Sequence, residues 1–327
     1  MTRTTHRATL GALAAAAAIT LSACGSGDVG PGSDALKVGV FFPGSVSDTG
    51  FMQSGYLGYQ RLEQAGGVEL SYVEQLEASD YEQALVRFAS QNDLVVSLGG
   101  QTDADVRKVA PQFPEVKFVE IGGPADAPPL PNLAYYDPQQ AEAEFLSGAV
   151  SATVSSNGTV GFVGGVELPA IVNAAHAFGN GARFAKHDAT VLPPQYVGDF
   201  NDPAKAKQAA SATYGAGADV LGQIVNLGKQ GMAQAAQEGG KSMVGGPIPG
   251  DCGDPRFVGY VHTDIGKEIE YAVNAVQSGT WAAQQVRFGL TSGNGGTDFV
   301  LCSTDPTVAA TLQRAEDQLA AGAVQPY

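Results

Sequence analysis

The sequence predicts an α/β protein made of two halves, each with a parallel sheet covered by helices on both faces. Three observations support this prediction. Short apolar runs alternate with helix-like segments from Leu36 onward, the alternation restarts after the proline-rich segment GPADAPPLPN, and many apolar runs end in glycine pairs. Strand–helix alternation is typical of βαβ units. The 327 residues are enough for two such halves.

The first half shows a regular succession of buried strands and helices. The predicted strands are LKVGVFF, VELSYVE, DLVVSLGG and VKFVEIGG. The intervening helices are predicted over Ser54–Ala65, Tyr81–Gln91 and Asp103–Ala110. Gly66-Gly67 ends the first of them, because glycine is unfavourable inside a helix.

The second half repeats the pattern. Its predicted helices are Ala141–Val154, Ala170–Ala185, Ala204–Gly215 and Gly231–Glu238, and its strands are GTVGFVGG, ADVLGQIV and KSMVGG. Pro193-Pro194 disfavours a central strand in ATVLPPQYVG, because proline donates no ladder hydrogen bond. The strand FVGYVHTD, a helix over Ile265–Ser278 and a final hairpin-like segment around VRFGL and TDFVLC follow.

The first 24 residues have the pattern of an export signal. Arg3 and Arg7 precede an apolar run of thirteen residues, Ala8–Thr20, which is shorter than the about twenty that a membrane span needs. The following LSAC resembles a bacterial lipobox, in which Cys24 would carry a lipid on its sulfur. Residues 25–35 would form a flexible tether. The alternatives are a plain secretory signal or a weak membrane anchor.

The two remaining cysteines, Cys252 and Cys302, are predicted to form a disulfide, since export leads to an oxidising compartment. Two separate free thiols are the alternative. The chain has no CxxC pair, so neither a redox motif nor a zinc ribbon is supported.

The composition excludes several classes of function. With 44% hydrophobic residues, 16% charged residues and a formal charge of −15, the chain is a globular protein poorly suited to bind nucleic acid or anionic lipid headgroups. No HExxH, GxSxG or phosphate-binding loop is present, and the four histidines are scattered. We therefore predict no enzyme activity, no metal and no cofactor.

The glycine pairs predict a ligand-binding cleft, because ligands of α/β sheets bind beyond the carboxyl ends of the strands. The pairs are Gly99-Gly100, Gly122-Gly123, Gly164-Gly165 and Gly245-Gly246. In the first strand-to-helix loop, TGFMQS, Phe51 would present its ring to the ligand and Gln53 and Ser54 would offer hydrogen bonds. The alternative is that Phe51 attaches the loop to the core.

The segment VGVFFPGSVSDTGFMQSGYLGYQRL resembles the opening of the basic membrane protein family, which includes purine nucleoside-binding lipoproteins. The resemblance continues in order through FPEVKF, EFLSGAVSA, VGFVGGVELPAI, FGNGARFA, GDFNDPAKAK and GADVLGQI. It implies the type I periplasmic-binding-protein fold, with two doubly wound parallel-sheet lobes joined by hinge strands. It also implies a lipoprotein that works as a monomer and delivers a small molecule to the permease and ATPase of an ABC importer.

The family's pocket carries over only in part. Its stacking rings match Phe51 and Phe178, and its other matches are Asp48, Gln53 and Lys267. Several acidic or polar family positions are replaced, by Phe42, Met52, Gly122 and Pro247, and Asp251 would substitute for a lost carboxylate. The predicted ligand-binding residues are Phe42, Asp48, Phe51, Met52, Gln53, Gly100, Gly122, Phe178, Asn226, Asp251 and Lys267.

These residues predict a small, flat, mostly neutral ligand such as a nucleoside or nucleobase. Another aromatic or heterocyclic solute is the competitor, and a ligand-sensing surface lipoprotein is the alternative to an importer component. The expected location is the extracytoplasmic face of the cell membrane. Residues 36–123 with 254–277 are predicted to form lobe 1, and residues 124–250 with 278–327 to form lobe 2.

Overall fold

The computed structural model describes residues 35–327. The predicted export signal, the lipidation of Cys24 and nearly all of the predicted tether fall on residues 1–34, outside the described residues. No helix within 35–327 is both long and apolar enough to cross a membrane.

The described residues form thirteen strands and nine α-helices. The strands are β1 (Leu36–Phe42), β2 (Val68–Glu74), β3 (Leu94–Leu98), β4 (Lys117–Ile121), β5 (Leu133–Asp137), β6 (Thr159–Gly164), β7 (Thr190–Val191), β8 (Gln195–Tyr196), β9 (Val220–Ile224), β10 (Ser242–Gly245), β11 (Phe257–Thr263), β12 (Gln285–Arg287) and β13 (Thr297–Leu301). The helices are α1 (Phe51–Ala65), α2 (Tyr81–Ala89), α3 (Asp103–Val109), α4 (Gln140–Val154), α5 (Pro169–Ala185), α6 (Pro203–Gly215), α7 (Lys229–Gly239), α8 (Ile265–Gln277) and α9 (Pro306–Ala320).

The strands are arranged in two sheets, each of which forms one lobe. Lobe 1 contains the parallel sheet β12-β5-β4-β3-β1-β2 with helices α1, α2, α3 and α8. Lobe 2 contains β13-β11-β10-β9-β6-β7, with β8 also on β6 and helices α4 to α7 and α9. Only β13 runs antiparallel, against β11. The predicted α/β architecture of two parallel-sheet halves is therefore confirmed.

The chain crosses between the lobes three times, and the crossing segments are hydrogen-bonded to one another. The crossings lie between β5 and α4, between β11 and α8, and between β12 and β13. The Thr297 hydroxyl donates to the Pro138 carbonyl at 2.7 Å, and the Asp264 N–H donates to the Gly296 carbonyl at 2.7 Å. Three adjacent connections of this kind are typical of a hinge between two domains.

The lobe boundaries differ from those predicted. Strand β5 follows residue 123 yet belongs to lobe 1, because the chain leaves that lobe only at Pro138. Strand β11 lies in lobe 2 and β12 in lobe 1, so the ranges 254–277 and 278–327 are each divided between the lobes. The predicted terminal hairpin is wrong, since β12 and β13 lie in different sheets.

Aspartate side chains cap the N-termini of three helices. Asp202 accepts hydrogen bonds from the Ala204 and Lys205 N–H groups at 3.0 Å, which satisfies donors that the first turn of α6 leaves free. Asp264 caps α8 and Asp305 caps α9 in the same way. Both α6 and α9 then begin with proline, whose fixed φ suits that position.

Helices α4 and α5 pack backbone to backbone in lobe 2. A Cβ on Gly148 would lie 1.9 Å from the Phe178 carbonyl oxygen, and one on Gly181 would lie 1.9 Å from the Phe145 carbonyl oxygen. Only glycine at both positions allows this approach. The contact fixes the position of α4, whose N-terminal turns reach the cleft. Elsewhere in lobe 2, a disulfide joins Cys252 to Cys302.

Candidate ligand-binding site

A cavity lies between the lobes at the carboxyl ends of the parallel strands. Its volume is about 70 Å³, which is below the usual range of small-molecule sites, and it is partly open to solvent. Residues of both lobes line it: Gly44, Phe51, Met52, Gly99, Gly100, Gln101 and Gly122 from lobe 1, and Gln140, Leu168, Ala170, Ile171, Phe200, Asn201, Ile224 and Asn226 from lobe 2. None of these fifteen side chains carries a formal charge.

Asp48 holds the loop that begins α1. Its side chain is fully buried and accepts hydrogen bonds from the N–H groups of Gly50 at 2.7 Å, Gln53 at 3.0 Å and Met52 at 3.2 Å. Burial raises the pKa of Asp48, while these three donors and the Lys229 ammonium oppose the rise. Asp48 therefore positions the loop and does not line the cavity.

Two aromatic rings reach the cavity from opposite lobes. Phe51 packs over Gly122, where a Cβ would lie 3.1 Å from Cζ of the ring. Phe200 precedes α6 and packs over Gly165, where a Cβ would lie 2.2 Å from its ring. The second ring is thus Phe200 rather than Phe178. Phe200 belongs to the motif GDFNDPAKAK, one of those on which the family resemblance rests, and this motif could have drawn attention to it.

Phe178 is a core residue, which corrects the prediction that it stacks on the ligand. Its side chain is fully buried on the face of α5 that packs against the sheet. The ring lies 5.7 Å from that of Phe162, centroid to centroid, and fills the space left by Gly222. The sequence motif predicted the helix, but it did not predict on which face of the helix the ring lies.

The other predicted contact residues divide into three groups. Met52, Gly100, Gly122 and Asn226 line the cavity together with Phe51. Phe42 does not, because it is fully buried in the core of lobe 1 and contacts the rings of Tyr56 and Tyr72 edge-on. Gln53, Asp251 and Lys267 also lie outside the lining, and the last two are exposed. Of the four glycine pairs, only those at residues 99–100 and 122–123 reach this cavity, the second through Gly122.

The lobes are in direct contact at one end of the cavity. Asn226 of lobe 2 accepts a hydrogen bond from the Phe51 N–H at 3.3 Å. The Lys229 ammonium donates to the Gly246 carbonyl of its own lobe at 3.0 Å and also to the Thr49 carbonyl of lobe 1. Burial lowers the pKa of Lys229 to about 8, and the nearby Asp48 carboxylate opposes this shift.

A deeper chamber adjoins the cavity and shares Phe51, Gln140, Ile224 and Asn226 with it. Glu144, on the second turn of α4, also lines this chamber and is 1% exposed. Neither of its carboxyl oxygens has a hydrogen-bond partner among the described residues. Burial raises the pKa of Glu144 to about 8, and the nearby Ser147 hydroxyl opposes this rise. Glu144 is not among the predicted contact residues, although the motif EFLSGAVSA places it directly before the apolar pair Phe-Leu.

The remaining chemistry of the site is that of amides and apolar groups. Gln101, Gln140, Asn201 and Asn226 contribute side-chain amides to the cavity. Within residues 35–327, no cluster of three or more histidine, cysteine or acidic side chains is arranged to hold a metal ion. The arrangement can therefore hold a flat molecule between rings and hydrogen-bond its edges.

A family profile described as "ABC transporter substrate-binding protein PnrA-like" matches residues 35–304. The chain belongs to this family. The resemblance to basic membrane proteins inferred from the motifs is confirmed, and the family is one of solute-binding proteins.

Curated relatives carry corresponding names. Basic membrane protein A2 of Borrelia garinii subsp. bavariensis is 29% identical over 222 residues, which are 67% of this chain and 65% of that protein. The match thus spans slightly less than two thirds of that relative. A purine-binding protein of Brucella abortus is 28% identical over 265 residues, covering 79% of this chain and 73% of the relative.

Solved structures of solute-binding proteins have the same fold. One from Aeropyrum pernix K1 aligns with a TM-score of 0.77 at 20% identity, over 89% of this chain and 92% of its own. Another from Conexibacter woesei aligns with a TM-score of 0.69 at 23% identity, over 89% and 98% of the two chains. The periplasmic-binding-protein fold is therefore confirmed.

Proposed function

We propose that this protein captures a nucleoside, a nucleobase or a similar flat neutral heterocycle and delivers it to an ABC importer. The observation that carries the proposal is that Phe51 and Phe200, on opposite lobes, line one cavity without charged residues. The name of the Brucella abortus relative, a purine-binding protein, supports the same class of ligand. A lipid on Cys24 would hold the protein at the extracytoplasmic face of the membrane.

The energetics of such a site are reasonable. Stacking on an aromatic side chain contributes about 1–3 kcal/mol per ring, so two rings would supply about 2–6 of the roughly 8 kcal/mol that micromolar affinity requires. Hydrogen bonds from the four side-chain amides of the cavity would supply the remainder. These amides suit a neutral ligand, because binding an ionised one would leave its charge without a counter-charge.

Closure of the lobes would complete the site. Each lobe presents one ring, so a ligand between them contacts both only when the lobes are together, and it therefore favours the closed state. The hydrogen bonds between Phe51 and Asn226 and between Thr49 and Lys229 would stabilise the closed state further. The permease would then distinguish the closed, loaded protein from the open one.

Two experiments test the proposal. Purified protein is denatured and the released small molecules are identified by mass spectrometry. Calorimetric titration then follows with nucleosides, nucleobases and unrelated sugars and amino acids. We expect micromolar or tighter binding of at least one flat heterocycle and none of the sugars. Selective binding of a sugar or an amino acid would contradict the proposal.

The lipid anchor has a separate test. The chain is expressed with labelled palmitate as the natural sequence and as Cys24→Ala. Label and membrane association are expected only with the natural sequence. Equal membrane association of both forms would rule out Cys24 as the anchor.

A further inference from the structure

Glu144 is an unusual group for a fold to bury. Among the described residues it is the only acidic side chain with both carboxyl oxygens buried and without a hydrogen-bond partner. Its neighbour Glu142 is equally buried, but the Leu290 N–H donates to it at 2.6 Å. Glu120 is buried as well and accepts from the Thr102 hydroxyl at 2.7 Å. An unpaired buried carboxyl costs stability, so its retention calls for an explanation.

Its position offers that explanation. Glu144 and Gln140 lie one turn apart on α4, which places both side chains on the same face of the helix. Both line the deep chamber, whose wall also includes Phe51 and Asn226. Gln140, Phe51 and Asn226 line the main cavity too. The chamber has a volume of only about 20 Å³, so a flat molecule held against Phe51 would approach Glu144 with the tip of one edge.

The chemistry of the carboxyl group limits what that edge can be. A protonated carboxyl offers one O–H donor and one carbonyl acceptor, and an ionised one offers acceptors alone. Both forms accept a hydrogen bond, and the buried position favours the neutral form, which also donates one. A ring N–H beside a carbonyl, as in a lactam, complements the neutral form with two hydrogen bonds.

We propose that Glu144 is the specificity-determining residue of the site and selects heterocycles that present a ring N–H next to a carbonyl group. The inference rests on the proposed function and specifies its ligand class. Glu144 acts by direct contact with the bound heterocycle in the deep chamber. The amides of the main cavity would hold the remaining edges.

The test compares ligands that differ by a single donor. Inosine, uridine and their bases are titrated calorimetrically against the purified protein, together with the forms methylated on the lactam nitrogen. The proteins are the natural sequence, Glu144→Gln, Glu144→Met and the control Ser151→Ala. Ser151 is buried two turns farther along α4 and lines neither cavity, so its loss should leave affinity unchanged.

The expected results follow from hydrogen bonding. Glu144→Gln keeps one donor and one acceptor and should bind the parent lactams within about threefold of the natural protein. Glu144→Met should bind them at least about tenfold more weakly, since the N–H loses its partner. The natural protein should show the same loss toward the methylated forms, and Glu144→Met should no longer distinguish methylated from parent compounds.

A pH series adds an independent readout. Glu144 is the only titratable side chain lining the deep chamber. If its neutral form binds the lactam, the affinity of the natural protein should fall between pH 7 and pH 9 by about tenfold more than that of Glu144→Gln, as the carboxyl ionises. The Glu144→Gln series is the reference, because Lys229, whose pKa is about 8, and the lactam N–H titrate with both proteins.

The outcomes separate the two proposals. If no heterocycle binds the natural protein, the proposed function fails and the inference fails with it. If heterocycles bind but Glu144→Met discriminates between parent and methylated forms as the natural protein does, the function stands and the role of Glu144 is overturned. Circular dichroism of each variant confirms that it is folded before it is titrated.

Discussion

Phe51, Phe178 and Phe200 divide between the cleft and the core, and local sequence does not distinguish the two locations. Phe51 begins α1 after the loop that follows the buried strand β1, where side chains reach the cleft by topology. Phe178 lies within a helix, and the burial of its ring depends on the rotation of that helix against the sheet. Phe200 lies in an irregular loop, so only the assembled lobe places its ring in the cavity.

Alanine substitutions at Phe200 and Phe178 should have opposite effects. Phe200→Ala should weaken ligand binding by about 5- to 150-fold, which corresponds to the loss of about 1–3 kcal/mol of stacking, and should lower the free energy of unfolding by less than Phe178→Ala does, because its ring is only partly buried against the core. Phe178→Ala should lower the free energy of unfolding by about 3–5 kcal/mol, because it leaves a cavity. Calorimetry and urea unfolding measure the two effects. Normal affinity of Phe200→Ala would contradict the assignment.

The buried Glu144 should also make stability depend on pH. Its pKa is raised from 4.5 to about 8 in the folded protein, so the folded state holds a proton that the unfolded state releases. This contribution to stability therefore falls as pH rises from about 4.5 to about 8. Glu144→Gln removes it and should be more stabilising at pH 8.5 than at pH 5.5, by on the order of 2–5 kcal/mol.

Urea unfolding of the two proteins at both pH values measures this difference. Ser151→Ala on the same helix is the control, because it removes a buried hydroxyl without removing a titratable group. A Glu144→Gln effect that is the same at pH 5.5 and pH 8.5 would show that the folded-state pKa is close to its ordinary value.

Helices and strands could be predicted from the sequence where they are long and have a clear hydrophobic pattern. The long helices α1, α4, α5, α6 and α8 carry clear boundaries in glycine, proline or aspartate, and the buried strands of both sheets are apolar runs. The three-residue β12 has too little pattern to reveal its sheet, and β5 follows directly on a proline-rich segment. Helix α9 was missed, although Asp305-Pro306 marks its beginning.

The disulfide should stabilise lobe 2 without affecting the cleft. It closes a loop of 50 residues, which contributes about 4 kcal/mol in the chain-entropy model. Replacing both Cys252 and Cys302 by serine should lower the free energy of unfolding by about 2–4 kcal/mol. Ligand affinity at a temperature well below unfolding should remain unchanged, because neither residue lines the cavity. A large loss of affinity in the folded variant would place the disulfide in the binding mechanism.

For the whole molecule, the family's pocket could be predicted in outline but not in detail. The cleft between the carboxyl ends of the strands follows from the α/β pattern, and five of the eleven predicted contact residues line it: Phe51, Met52, Gly100, Gly122 and Asn226. Contacts such as Lys229 to Thr49 join residues 180 positions apart. They depend on how the lobes meet, and no local pattern encodes that.

Lys229 should favour the closed arrangement, because its ammonium donates to both lobes. Lys229→Met removes these charge-assisted hydrogen bonds and should raise Kd by about 10- to 100-fold, from the about 1.5–3 kcal/mol attributed to such bonds. Small-angle X-ray scattering of the ligand-free protein should show a larger radius of gyration. Lys207→Met, which removes an exposed ion pair with Glu238, is the control and should change neither quantity. Unchanged affinity and size for Lys229→Met would exclude this role.

The absence of charged side chains from the cavity lining has a consequence for the setting in which the protein works. The exterior is strongly acidic, with a formal charge of −15 for the chain, and dissolved ions will screen it. An uncharged ligand has no electrostatic attraction to the protein that salt could screen. Its Kd should therefore stay nearly constant from low to high salt concentration. A solute-binding protein built in this way would keep its affinity as the ionic strength of its surroundings changes.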